Sequence, residues 1–146
     1  MAAKTVLIVD DDEMLRRVLC TAINWCGFQT LDAGDGEEAW RIYTKERPDV
    51  VIADIYMPKM NGLLLLRHIR RYEPDAKVVL ITGGSTFRQL AHDPDSRPDG
   101  FLQKPFSVVD IMEIVRNLTM QKNTPPRDTA AAQSEPEPVN ERPPQT

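Results

Sequence analysis

Apolar residues recur along this chain in two alternating rhythms. The first is a short unbroken run: Thr5-Val6-Leu7-Ile8-Val9, Val50-Val51-Ile52-Ala53 and Lys77-Val78-Val79-Leu80-Ile81-Thr82. Runs of this length and β-branched content suit strands buried on both faces. Residues 29–33 form a more polar run that fits an edge strand, and Gly100-Phe101-Leu102-Gln103 a last short strand. The second rhythm is helical. Met14, Leu15, Val18, Leu19, Ala22, Ile23 and Cys26 predict a first helix from about residue 13, with Arg16, Arg17 and Asn24 toward water and Gly27 as the stop. After the turn Gly34-Asp35-Gly36, Asp35 and Glu38 make a capping box for a second helix that carries Ala39, Ile42 and Tyr43 inward and ends before Pro48. A third helix is expected over residues 61–72, closed by Pro74. Phe87, Leu90 and Ala91 give only a short stripe, and Pro94 and Pro98 make residues 93–98 a loop, so the fourth helix is shortened. Ser107 and Asp110 box the start of a final helix marked by Val108, Ile111, Met112, Val115 and Leu118.

Five strands alternating with helices mean a doubly wound α/β fold with a five-stranded parallel sheet covered on both faces, and the expected strand order is 2-1-3-4-5, one of the common orders of such sheets. From about residue 123 the composition turns to Pro, Glu, Gln, Thr, Ala and Arg with scarcely a large apolar side chain. Such a segment buries too little surface to offset its ordering entropy. Residues 1–122 are therefore read as the domain and 123–146 as a disordered tail.

A chain of 146 residues is one domain as a first expectation. The net charge of −4 comes without a basic block, so nothing argues for a nucleic-acid partner. No apolar run approaches about 18 residues and no basic-then-apolar leader opens the chain, so no membrane partner is expected and the location is read as cytoplasmic. Cys20 and Cys26 fall on one helix with Cα atoms roughly 9 Å apart, too far for a disulfide.

The candidate chemistry lies where the strands end. Strand one delivers Asp10 and Asp11, strand three Asp54, strand four Thr82 and strand five Lys104. Strands one and three adjoin at the point where the order reverses, which brings three carboxylates together. Two carboxylates about 4 Å apart repel by roughly 4 kcal/mol at an effective dielectric of 20, so the group wants a cation. Oxygen ligands of this hardness suit Mg²⁺. Lys104 and Thr82 then supply a point charge and a donor for the same oxygen-rich ligand, and a carboxylate, a metal, a lysine and a hydroxyl make a phosphoryl site. Other polar and aromatic residues have plainer readings: Asp12 as a helix N-cap, His68 and His92 as surface residues, Trp25 and Trp40 as packing or surface aromatics.

Val9-Asp10-Asp11, Asp54 with Met57-Pro58 and Asn61-Gly62, Thr82-Gly83 and Lys104-Pro105-Phe106 follow one another in order. With these motifs, residues 4 to about 121 resemble a response-regulator receiver domain, CheY-like, the phosphoacceptor part of two-component signalling. The resemblance implies the flavodoxin-like receiver fold, with Asp54 phosphorylated and Mg²⁺ held mainly by Asp11, with Asp10 assisting, Asp54 itself and the backbone carbonyl of Tyr56. It implies that Lys104 pairs with the phosphoryl group, that Thr82 and the Gly83 N–H bond to it, and that the Lys104-Pro105 bond is cis. Phe101 matches the aromatic position that follows the state of Thr82. The expected protein is a single-domain response regulator. It takes its phosphoryl group from a histidine kinase or histidine phosphotransfer protein and signals to a downstream protein target by contact. It is expected to be no enzyme beyond its own phosphorylation and dephosphorylation. A phosphatase or mutase of related chemistry would carry an acid two residues after the nucleophile, where this chain has Tyr56. A phosphorylation-independent binding module and a receiver fragment of a larger hybrid protein are the remaining readings.

Overall fold

The computed structural model describes residues 3–83 and 97–120. The elements follow in the order β1 (Thr5–Val9), α1 (Glu13–Trp25), β2 (Gln29–Ala33), α2 (Gly36–Glu46), β3 (Val50–Asp54), α3 (Gly62–Tyr72), β4 (Val78–Thr82), β5 (Gly100–Gln103) and α4 (Val108–Thr119). The expected short helical stripe at Phe87, Leu90 and Ala91, the loop to residue 96, His92 and the tail 123–146 lie outside the described residues.

The five strands form one parallel sheet, as the alternation of runs and stripes predicts, and their order is β2-β1-β3-β4-β5, the expected one. Every residue of β3 and β4 is buried, while β2 on the edge buries only Ala33 and exposes Gln29 and Asp32. Side chains alternate across each strand, so the sheet feeds two cores. On one face Leu7, Val9, Val51 and Leu80 meet Ala39, Tyr43, Leu65, Leu66 and Ile69 of α2 and α3. On the other, Ile8, Ile52 and Ile81 meet Leu19, Ile23, Ile111 and Val115 of α1 and α4.

The helix ends follow from local hydrogen bonding. The Asp12 carboxylate accepts from the N–H groups of Met14 and Leu15, and Gly27, at φ +96°, takes the left-handed conformation just past α1. Ser107 and Asp110 complete a reciprocal capping box at α4. The box expected at α2 closes differently: Asp35 accepts from Glu38 N–H, but the Glu38 carboxylate accepts from Gly34 N–H, one residue earlier. Asn61 caps α3 instead of opening it, and β4 begins at Val78.

Three expectations about exposure are corrected. Met14 is 75% exposed and Val18 also faces water, because the predicted stripe on α1 was wider than the strip a helix can lay on a sheet. Arg16, expected in water, turns toward the sheet with its side chain only 17% exposed. His68 is half-buried, 5.5 Å from the Trp40 ring, in a cluster with Tyr43 and Tyr72. Trp25 is fully at the surface, and both cysteines are free.

A polar clasp sets the start of β5. Arg70 of α3 donates to the carbonyls of Ala76 and Arg97 and to Asp99 Oδ2 at 2.9 Å, and the same carboxylate oxygen accepts from Val78 N–H at 2.8 Å. Asp99 N–H donates to the Val78 carbonyl, so β5 enters the sheet in fixed register beside β4.

Candidate functional site

Asp54 closes β3 and is only 5% exposed. Its Oδ1 accepts from Tyr56 N–H at 2.9 Å, and its Oδ2 pairs with Lys104 Nζ at 3.0 Å. The chain leaves Asp54 in a tight loop, and α3 begins against it. A Cβ on Gly62 would lie 2.2 Å from the Asp54 carbonyl oxygen, so only glycine lets the helix start this close. Lys104 N–H donates to the Thr82 carbonyl at 2.8 Å, extending the β4–β5 ladder by one step. That step sets Lys104 beside Thr82, ahead of a cis bond to Pro105. Thr82 is fully buried and Gly83 borders the Lys104 side chain. Thr82 pairs with Gln103, two residues beyond Phe101, so Thr82 and Phe101 share a sheet face.

Asp10 follows β1 and is 1% exposed, whereas Asp11 stands in solvent. Asp10 N–H donates to the Ala33 carbonyl, and its Oδ1 accepts from Asp12 N–H at 2.9 Å. Its Oδ2 is buried with no hydrogen-bond partner. Burial raises the Asp10 pKa, the Asp12 N–H opposes that, Asp54 and Asp11 push it further up, and Lys104 pulls it down; the net direction is up. Burial lowers the Lys104 pKa, but the hydrogen bond and charge of Asp54, with the fields of Asp10 and Asp11, outweigh it and hold it above its ordinary value.

A buried, unpartnered carboxylate oxygen in the field of two further carboxylates fits a hard cation. Among the described residues, no three His, Cys, Asp or Glu side chains stand close enough to hold a metal unaided. The expected convergence of three carboxylates is therefore electrostatic, without a ready-made cage. That matches Mg²⁺, which takes one or two carboxylates and keeps several waters. Asp10, Asp11, Asp54 and the Tyr56 carbonyl are the oxygens that could serve it.

Two features of the site escaped the sequence reading. Gly62 stands in the sequence only as part of the Asn61-Gly62 motif, and its approach to Asp54 depends on the fold. Arg16, expected toward water, lies three and seven residues before the buried Leu19 and Ile23, on the face that meets the sheet. Its Nη1 donates to the Asp10 carbonyl at 2.7 Å and its Nε to Asp32 Oδ2 at 2.7 Å.

With this geometry in place, comparison with known proteins is direct. The response regulator receiver domain family matches residues 6–116, and the chain belongs to that family. The response regulator MprA of Mycolicibacterium vanbaalenii is 30% identical over 129 residues, covering 88% of this chain and 54% of MprA. The DNA-binding transcriptional regulator NtrC of Azospirillum brasilense is 29% identical over 126 residues, covering 86% of this chain and 26% of NtrC. The chain thus spans about half of the one relative and a quarter of the other. Among solved structures, the response regulator TrrA of Thermotoga maritima, in complex with Mg²⁺ and BeF, superposes with a TM-score of 0.72 at 34% identity, covering 79% of this chain and 98% of TrrA. A receiver domain protein from Clostridium thermocellum gives a TM-score of 0.76 at 26% identity, covering 82% and 96%. Among the described residues, no helix is long and apolar enough to cross a membrane.

Proposed function

We propose that this chain is a Mg²⁺-dependent phosphoacceptor whose Asp54 takes a phosphoryl group from a histidine kinase or histidine phosphotransfer protein. The observation that carries the reading is the pairing of the buried Asp54 carboxylate with Lys104, next to the desolvated Asp10 whose Oδ2 has no partner. An Asp54 oxygen attacks phosphorus, the bond to the donor imidazole nitrogen breaks, and its electron pair stays on the imidazole. Lys104 follows the new phosphoryl oxygens, and the Thr82 hydroxyl and Gly83 N–H donate to them. Asp11, Asp10, Asp54 and the Tyr56 carbonyl would hold Mg²⁺, which would supply neutralising charge for the transferred group. The complex of TrrA with Mg²⁺ and BeF supports this assignment by likeness.

The chain acts once per phosphoryl group and catalyses only its own phosphorylation and dephosphorylation. Tyr56, where a phosphatase of related chemistry needs an acid, supports that reading. Signalling runs through Thr82 and Phe101 to a protein target in the cytoplasm, without nucleic acid. A second reading is favoured by the 54% span of MprA and the 26% span of the DNA-binding NtrC: the chain is the receiver portion of a longer regulator, in which contact with DNA belongs to another part.

The test is incubation with acetyl phosphate followed by intact-mass measurement. One phosphoryl group is expected with Mg²⁺ present and none after chelation with EDTA. Equal phosphorylation with and without the metal would overturn the Mg²⁺ dependence, and no phosphorylation under either condition would overturn the phosphoacceptor reading.

A further inference from the structure

We infer that Arg16 is a positioning residue for the acidic turn, fixing Asp10 and Asp11 for the cation from outside the site. The inference rests on the proposed function and adds a residue that touches neither the metal nor the phosphoryl group.

The turn from Asp10 to Asp12 leaves β1 on one side of the site and must hold its carboxylates against their mutual repulsion. Asp12 is held by the helix cap, its carboxylate accepting from Met14 and Leu15 and its carbonyl from Arg16 N–H, while Asp10 is held by Asp12 N–H at its Oδ1 and by its own N–H donating to Ala33 of β2. The carbonyl of Asp10 is the remaining polar group of that residue's backbone, and Arg16 donates to it at 2.7 Å. The guanidinium is itself anchored, since its Nε bonds Asp32 Oδ2 at 2.7 Å on β2. Asp32 pairs in register with Ile8, two residues before Asp10. The peptide plane after Asp10, which sets the direction of Asp11, is thus tied through Arg16 to the edge strand. A planar fork can serve both acceptors at once, and an ammonium cannot hold the same two in the same geometry. Arg16 also lies on the first turns of α1, so the clasp joins β1, α1 and β2 at one point.

The experiment measures Mg²⁺ affinity by isothermal titration in the wild type, Arg16→Met, Arg16→Lys and Asp32→Ala, at a temperature where circular dichroism shows each folded. Loss of an outer hydrogen bond that orients a metal ligand typically weakens binding by about tenfold or more, and the bond from Arg16 to the Asp10 carbonyl orients the ligands through the backbone. Arg16→Met is expected to bind Mg²⁺ about tenfold more weakly, and Arg16→Lys to stay well below wild type. Asp32→Ala, which removes only the anchor, should fall in between, and it keeps the test open if Arg16→Met does not fold. Amide shifts of residues 10–12 in the metal-free protein should move in the same variants. Wild-type affinity in Arg16→Met, with lowered thermal stability or without it, would overturn the inference, leaving Arg16 a structural residue at most. Full rescue by Arg16→Lys would also overturn it, since charge and not the fork would then be at work. Failure of the wild type to bind Mg²⁺ would instead sink the metal site itself.

Discussion

At the scale of single residues, the site holds its negative charge under tension. Asp10 is buried, one oxygen is unpartnered, and burial together with Asp54 and Asp11 disfavours its charged form. A neutral isostere relieves that cost while removing a proposed cation ligand. Asp10→Asn is therefore expected to raise the melting temperature in EDTA by a few degrees, about what 1 kcal/mol produces in a domain of this size, and to weaken Mg²⁺ binding. Calorimetry with and without metal measures both, and a lower melting temperature in EDTA would contradict the account. The residues proposed to carry the chemistry stand where strands end, which is legible in the sequence: Asp10, Asp54 and Thr82 close or follow a buried strand, and Lys104 follows the half-buried β5. Arg16 was expected toward water, and its position in phase with Leu19 and Ile23 was the better signal. The closeness of Gly62 to the Asp54 carbonyl could not be read at all, since it depends on where α3 starts relative to β3.

Among the elements, strands were easier to read than helix faces. A strand buried on both sides is a run of apolar residues, whereas the inward face of a helix depends on what it packs against. This is why β1, β3 and β4 were found nearly to the residue, and why Met14 and Val18 were wrongly turned inward on α1. The clasp between α3 and the head of β5 was also invisible, since Arg70 and Asp99 are far apart in sequence and ordinary in isolation. Arg70 and Asp99 are 19% and 9% exposed in their side chains, so breaking the pair leaves a charge poorly solvated. Arg70→Met is expected to cost about 3 kcal/mol of stability, as removal of one partner of a buried pair does. Urea denaturation reads this directly. A loss well under 1 kcal/mol would mean that the clasp is a surface pair and that the register of β5 is set by its ladder alone.

For the molecule as a whole, topology explains the site. Because strand order reverses between β1 and β3, the ends of these two strands open side by side, while β4 and β5 bring Thr82 and Lys104 to the same edge. Two apolar cores, one on each face of the sheet, pack the strands that carry that edge. The central claim is that all this serves one covalent event at one side chain. The most direct measurement is to treat the protein with acetyl phosphate and Mg²⁺, reduce any acyl phosphate with borohydride, and locate the reduced carboxyl by peptide mass spectrometry. The account predicts the mark at position 54 and its absence in Asp54→Asn. A mark at Asp10 or Asp11, or undiminished labelling of Asp54→Asn, would contradict it.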